Sequence, residues 1–189
     1  MKFPLRTQAP LQRPLASLKA AFGRKRPDAT ALRHALQSGG LQAAIALLNR
    51  RVPHRYTAVH QLVLDQVTSL AIQDALGEDT HAMRMPVDQG HSFCQYAIRD
   101  GHFITEDSAA DIRLDGNPFQ GKITSYHGVA LTDAQGNAFG SLCHFDTRLR
   151  FLGVAEFEEM RSAAAEISAY LRSGDGPRPE AARGEPSRQ

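Results

Sequence analysis

The spacing of apolar residues changes several times along this chain, and each change marks an element. "DATALRHALQSGG" (28–40) places Leu32 and Leu36 on one side of a helix, with Asp28 as its N-cap and Gly39-Gly40 as its stop. "LQAAIALLNRRV" (41–52) repeats the helical spacing with Leu41, Ala44, Ile45 and Leu48, and Pro53 ends it. "HRYTAVHQLVLD" and "QVTSLAIQDA" (54–75) are rich in β-branched and aromatic residues and predict paired strands. "AMRMPVD" reads as a short strand closed by Pro86, and "HSFCQYAIRDG" as a short helix with Gly101 at its C-cap. "GHFITED" returns to strand, and "SAADIRLDGNPFQGK" is a structured loop in which Asp107, Asp111 and Asp115 cap turns. Val154, Phe157, Met160, Ala164, Ile167 and Leu171 form one stripe at three- and four-residue spacing, the mark of an amphipathic helix. Helices, strands, helix, strands, helix in that order predict an α+β fold, an antiparallel sheet covered by helices.

The stretch "ITSYHGVALTDAQGNAFGSLCHFD" (123–146) predicts a hairpin. "DAQGN" fits a type I turn followed by a left-handed glycine at Gly136, which pairs Asp133 with Asn137. Counting back without interruption pairs His127 with Cys143 and Tyr126 with His144. Strand side chains alternate. One face would then carry His127, Val129, Leu131, Phe139, Cys143 and Phe145, bulky enough to lie under helices. The other would carry Tyr126, Gly128, Ala130, Gly140, Leu142 and His144, nearly bare at its centre. A bare centre must be filled, by Phe93 and Tyr96 of the short helix or by a small ligand.

Totals narrow the function. At 189 residues the chain is one domain's worth, and no apolar run approaches the span of a bilayer. Residues 1–27 carry seven cations and no acid against a total of +2, which leaves the remainder at −5. Prolines 4, 10, 14 and 27 break that basic segment, so it is expected as a disordered arm rather than a nucleic-acid or membrane contact. Residues 173–189 are expected as a second disordered tail, leaving 28–172 as the folded domain. Two cysteines outside any CxxC pattern, Cys94 and Cys143, point to a reducing compartment, and the expected location is cytoplasmic.

"RYTAVHQL", "GHSFCQYAI", "DIRLDGNPF", "SYHGVAL" and "GSLCHFD", in this order over roughly residues 40–172, resemble GAF domains, sensory modules common in bacterial signalling. The likeness is to the subgroup with an "SFC" helix and a "G(S/T)LC-x-x-D" strand. The resemblance implies a central antiparallel sheet of about six strands. N- and C-terminal helices would lie on one face, where they often dimerise. A short helix and loops on the other face would enclose a small-molecule pocket. GAF relatives bind cyclic nucleotides, bilins, haem, 2-oxo acids or amino acids, so the fold names no ligand or cofactor.

The expected activity is non-catalytic binding of a small molecule, signalled through the terminal helices to a partner or a second copy. The expected ligand-binding residues are Tyr126, His144, Gly128, Gly140, Phe93 and His91, with no catalytic residue and no metal ligand. Tyr170 and Leu171, beside the tail, are expected at the edge of a dimer contact. Cys94 and Cys143 are expected as free, inert thiols on opposite sides of the sheet. One alternative is a thiol reductase like the free methionine-sulfoxide reductases, which are GAF enzymes, using Cys94 or Cys143. Another is a pocketless interaction module.

Overall fold

A computed structural model describes residues 29–174 of the chain. The basic arm at 1–27, the Asp28 cap and all but the first two residues of the 173–189 tail lie outside it. Helix α1 (Ala29–Asn49) is two helices joined at a kink. Gly40 takes φ 64°, where a Cβ would be strained, and thereby divides the two predicted segments. Strands β1 (Tyr56–Val63) and β2 (Gln66–Asp74) form a hairpin whose two turn residues, Leu64 and Asp65, both have positive φ. A short strand β3 (Val87–Asp88), helix α2 (Cys94–Asp100) and strand β4 (His102–Thr105) follow. Asp107 and Asp111 accept from the backbone N–H groups of Ala109 and Arg113, the turn-capping role their spacing predicted. Strands β5 (Ser125–Thr132) and β6 (Ala138–Asp146) and helix α3 (Val154–Arg172) complete the domain.

The six strands form one antiparallel sheet in the order β3-β2-β1-β6-β5-β4. Both faces are buried. Helices α1 and α3 cover one, over Val59, Ala71, Val129, Leu131 and Leu142. Tyr170 and Leu171 pack against this core and stay partly exposed at its edge. Helix α2 and the segment after β4 cover the other face, over Tyr56, Ala58, Val67, Ile72, Tyr126, Cys143 and Phe145.

The β5–β6 register differs from the predicted one. The loop itself forms as its chemistry dictates: the Asp133 N–H donates to the Asn137 carbonyl at 2.9 Å, and Gly136 takes φ 87°. Thr132 pairs with Ala138, but the next pair is Leu131 with Gly140, so Phe139 is an extra residue, a β-bulge. Every later pair shifts by one. His127 lies opposite His144, Tyr126 opposite Phe145 and Gly128 opposite Cys143. A one-residue slip sends each β6 side chain to the other face. His144 and Gly140 therefore belong to the helix-covered face, while Cys143 and Phe145 join Tyr126 and Gly128.

Candidate ligand-binding site

Beneath α2 the sheet leaves a cavity of about 260 Å³. Val67, Ile72, Phe145, Phe93, Phe119 and Ile123 supply most of its wall, and Met83, Met85 and Val87 add sulfur and branched carbon from the β2–β3 side. The polar lining is limited to His60, Ser69, Ser92, Tyr126 and the two thiols, with no lysine or arginine.

The residues expected to bind ligand are dispersed. Tyr126 and Phe93 do line the cavity, their rings edge-to-face at 5.7 Å between centroids. Gly128 lies under the Tyr126 ring: a Cβ there would come within 2.5 Å of the Tyr126 ring edge and hydroxyl. The bare centre is thus filled by the domain's own tyrosine. Gly140 serves backbone packing instead, because a Cβ there would sit 2.2 Å from the His60 carbonyl oxygen. His91 is exposed and does not line the cavity.

His144 stands on the far face in a buried group with His54 and His127. His54 Nε2 and His127 Nδ1 lie 3.0 Å apart. Asn49, the last residue of α1, donates to the Thr57 hydroxyl at 3.0 Å, and Thr57 meets His144 Nδ1 at 2.8 Å. With its oxygen accepting from Asn49, the Thr57 hydroxyl donates to an unprotonated Nδ1. Burial, with His127 beside it, lowers His54 to about 3; burial lowers His127 to about 4; burial and the two neighbouring imidazoles lower His144 to about 3. All three are neutral at physiological pH.

The thiols are also placed differently from expectation. Both are free and buried, but they face each other on one side of the sheet rather than being separated by it. Alternation along β1 turns His60 to the same side as Ala58, which pairs with Cys143, and His60 itself pairs with Ser141. One ligating atom from each of His60, Cys94 and Cys143 lies within 4.8 Å of the others. The Cys143 thiol hydrogen-bonds to the Cys94 sulfur, and this bond, with His60, Ser141 and Ser92 nearby, holds Cys94 well below the ordinary thiol range. The same pairing and burial push Cys143 up. The Tyr126 hydroxyl donates to Cys94 Sγ at 3.4 Å. Sequence reasoning missed His60 altogether, because its significance depends on the β1–β6 register, which no local turn reports.

No protein-family model matches the chain, and no curated protein matches it. Solved structures do. The GAF domain of an Acinetobacter phosphoenolpyruvate-protein phosphotransferase superposes with a TM-score of 0.64 at 11% identity, over 85% of this chain and 95% of that one. A free methionine-R-sulfoxide reductase from Neisseria meningitidis, solved with its substrate, gives 0.60 at 13% identity over 76% and 86%. A far-red-absorbing protein with bound biliverdin gives 0.59 at 12% identity over 78% and 96%. Sheet order, helix placement and these superpositions agree: the chain has the GAF fold.

Proposed function

We propose that this domain is a sensor that binds a small, largely apolar molecule in the cavity beneath α2. The cavity carries this reading: apolar walls with a few placed polar groups are the usual make-up of a small-molecule site. At about 260 Å³ it falls just under the range of roughly 300–1,000 Å³ typical of drug-sized ligands. An amino acid with an apolar side chain, or the matching 2-oxo acid, suits that size better than a nucleotide, and sets one carboxylate rather than several phosphate charges against a wall without lysine or arginine. Two similar structures support the mode of use, since one holds its substrate and another biliverdin. Occupancy would pass to α1 and α3 through the shared sheet, and from them to a partner or second copy.

Thermal-shift and calorimetric titration with amino acids and 2-oxo acids tests the proposal. A ligand at about 100 times its Kd adds about 2.7 kcal/mol to stability. Val87→Phe, at the half-buried rim, should abolish that gain while leaving the circular dichroism spectrum unchanged. An equal gain in wild type and variant would place binding elsewhere.

The paired thiols favour one second reading, sulfoxide reduction. The Cys94 thiolate would attack the sulfoxide sulfur and keep its oxygen as a sulfenic acid while the thioether leaves. Cys143 would then displace that oxygen as water, forming a disulfide. One sulfoxide is reduced and two thiols are oxidised. Loss of two titratable thiols per thioether formed is the required result.

A further inference from the structure

We propose that His60, Cys94 and Cys143 form a Zn²⁺ site in the cavity wall, with the fourth coordination position facing the cavity. The three come from separate elements, β1, α2 and β6, and the fold alone brings them together. Two thiolates and an imidazole are the donors that select zinc among common divalent ions, and three protein ligands with one open position describe a zinc site able to take an exogenous ligand.

The geometry is close to what zinc requires. Zinc–sulfur bonds of about 2.3 Å and zinc–nitrogen bonds of about 2.0–2.1 Å set ligand–ligand edges of about 3.4–3.8 Å in a tetrahedron. The three ligand atoms already lie within 4.8 Å of one another, so closure needs side-chain shifts of about 1 Å. His60 Nδ1 is buried with no hydrogen-bond partner, which leaves that imidazole with unused capacity at the site.

Charge makes the same argument. The cavity lining holds no lysine or arginine, so His60 is the one side chain there able to carry positive charge beside two thiols, and it cannot offset two thiolates. Two thiolates and a neutral imidazole around Zn²⁺ sum to zero, a charge the apolar cavity tolerates. The Tyr126 hydroxyl, already donating to Cys94 Sγ, would hold that sulfur in place as an outer partner. An open zinc position would bind a carboxylate, amine or thiol of a small molecule directly. The inference stands apart from the ligand reading, because its test uses the ion alone.

The test is titration of reduced, chelator-stripped full-length protein with Zn²⁺ against a chromophoric chelator, and with Co²⁺ as a spectroscopic substitute. Wild type should take one equivalent and release protons as the thiols ionise. The cobalt form should show tetrahedral d–d bands and thiolate-to-cobalt charge transfer. Cys143→Ser should halve the charge-transfer intensity, and His60→Ala should weaken binding at least about tenfold while both thiols remain titratable. His60 is only partly buried, so that variant keeps the test sound if the buried cysteine variant fails to fold. No uptake by folded, reduced wild type at tens of micromolar Zn²⁺ would overturn the site. Uptake indifferent to His60→Ala would overturn it equally.

Discussion

Acidifying the protein from pH 7 to 5.5 should remove about 4 kcal/mol of stability, and the buried histidines are the reason. His54, His127 and His144 are each at most 2% exposed, and their pKa values fall from 6.5 to about 3, about 4 and about 3. A group whose folded pKa is depressed contributes its stability fully above the unfolded pKa, and loses it as pH falls toward the folded value. The window therefore opens near pH 6.5 and runs down to about 3–4. At pH 5.5 the unfolded chain holds about 0.9 proton on each of the three, and the folded chain almost none. Relative to pH 7 each costs about 1.2 kcal/mol. That figure barely depends on the folded values so long as they stay well below 5. Three together take a large share of the roughly 5–15 kcal/mol that holds a typical domain.

The surroundings do not rescue the cluster. Asp146 pulls the His54 value upward, but burial, His127 and Arg150 oppose it. Protonating His144 would also abolish the acceptor that Thr57 addresses. Carboxylates held low by partners, such as Glu166 beside Arg33 and Asp74 beside Arg55, lose their contribution only below about pH 5, outside this interval. Urea unfolding followed by circular dichroism at pH 7.0, 6.0 and 5.5 measures the effect. His144→Asn keeps an acceptor for Thr57 and removes one titrating group. It should shrink the acid loss by about 1.2 kcal/mol whatever it does to stability at pH 7. A wild-type loss under about 1 kcal/mol, or an undiminished loss in His144→Asn, would show that the cluster does not titrate as its burial requires.

Gly128→Ala should cost about 1–3 kcal/mol, because the new methyl meets the packed Tyr126 ring. Tyr126→Ala should absorb most of that added cost in a double-mutant cycle read by urea unfolding; simple additivity would refute the contact. Gly140→Ala meets the His60 backbone carbonyl, which no rotamer change can relieve, so it should be the more damaging of the two. Leu64 and Asp65 hold φ 46° and 61° in a two-residue hairpin turn, and Leu64 is 93% exposed. Replacing the pair with Asn-Gly should raise stability by about 1 kcal/mol, seen as a higher urea midpoint at unchanged slope. Sedimentation at tens of micromolar checks the proposed pairing of copies through α1 and α3, and a single monomer species there would exclude it.

Element identity was legible where one physical rule acts locally. The break at Gly40, the α3 stripe, the cap at Gly101 and the loop closed by Asp133 and Asn137 each follow from a few adjacent residues. The resemblance to GAF domains added the sheet's composition and which helices share a face. Tyr126 and Phe93 both line the cavity, each carried there by its own element.

His144, Gly140 and Cys143 were misplaced together, and a single cause accounts for all three. Alternation reports register only when one face of a strand is wet and the other dry. Here both faces are covered, and burial is nearly continuous along β5 and β6. A run such as "SLCHF" satisfies either parity: Leu142 and His144 can face the helices, or Cys143 and Phe145 can. Phe139 does not decide between them, since it packs toward the helix-side core in the bulged strand as it would in the unbulged one; the bulge shows beyond it, where Leu142 lies under the helices and Cys143 and Phe145 under α2. The bulge has no signature in the turn, which closes through Asp133 and Asn137 as the unbulged register also requires. Its consequences are chemical as well as geometric. The unbulged register would have set Cys143 beside His127, under the helices and away from Cys94. The bulge instead turns the Cys143 thiol toward His60 and Cys94, at the cavity, and consigns His144 to the buried histidine cluster. One inserted residue therefore decides which face of the sheet carries the sulfur.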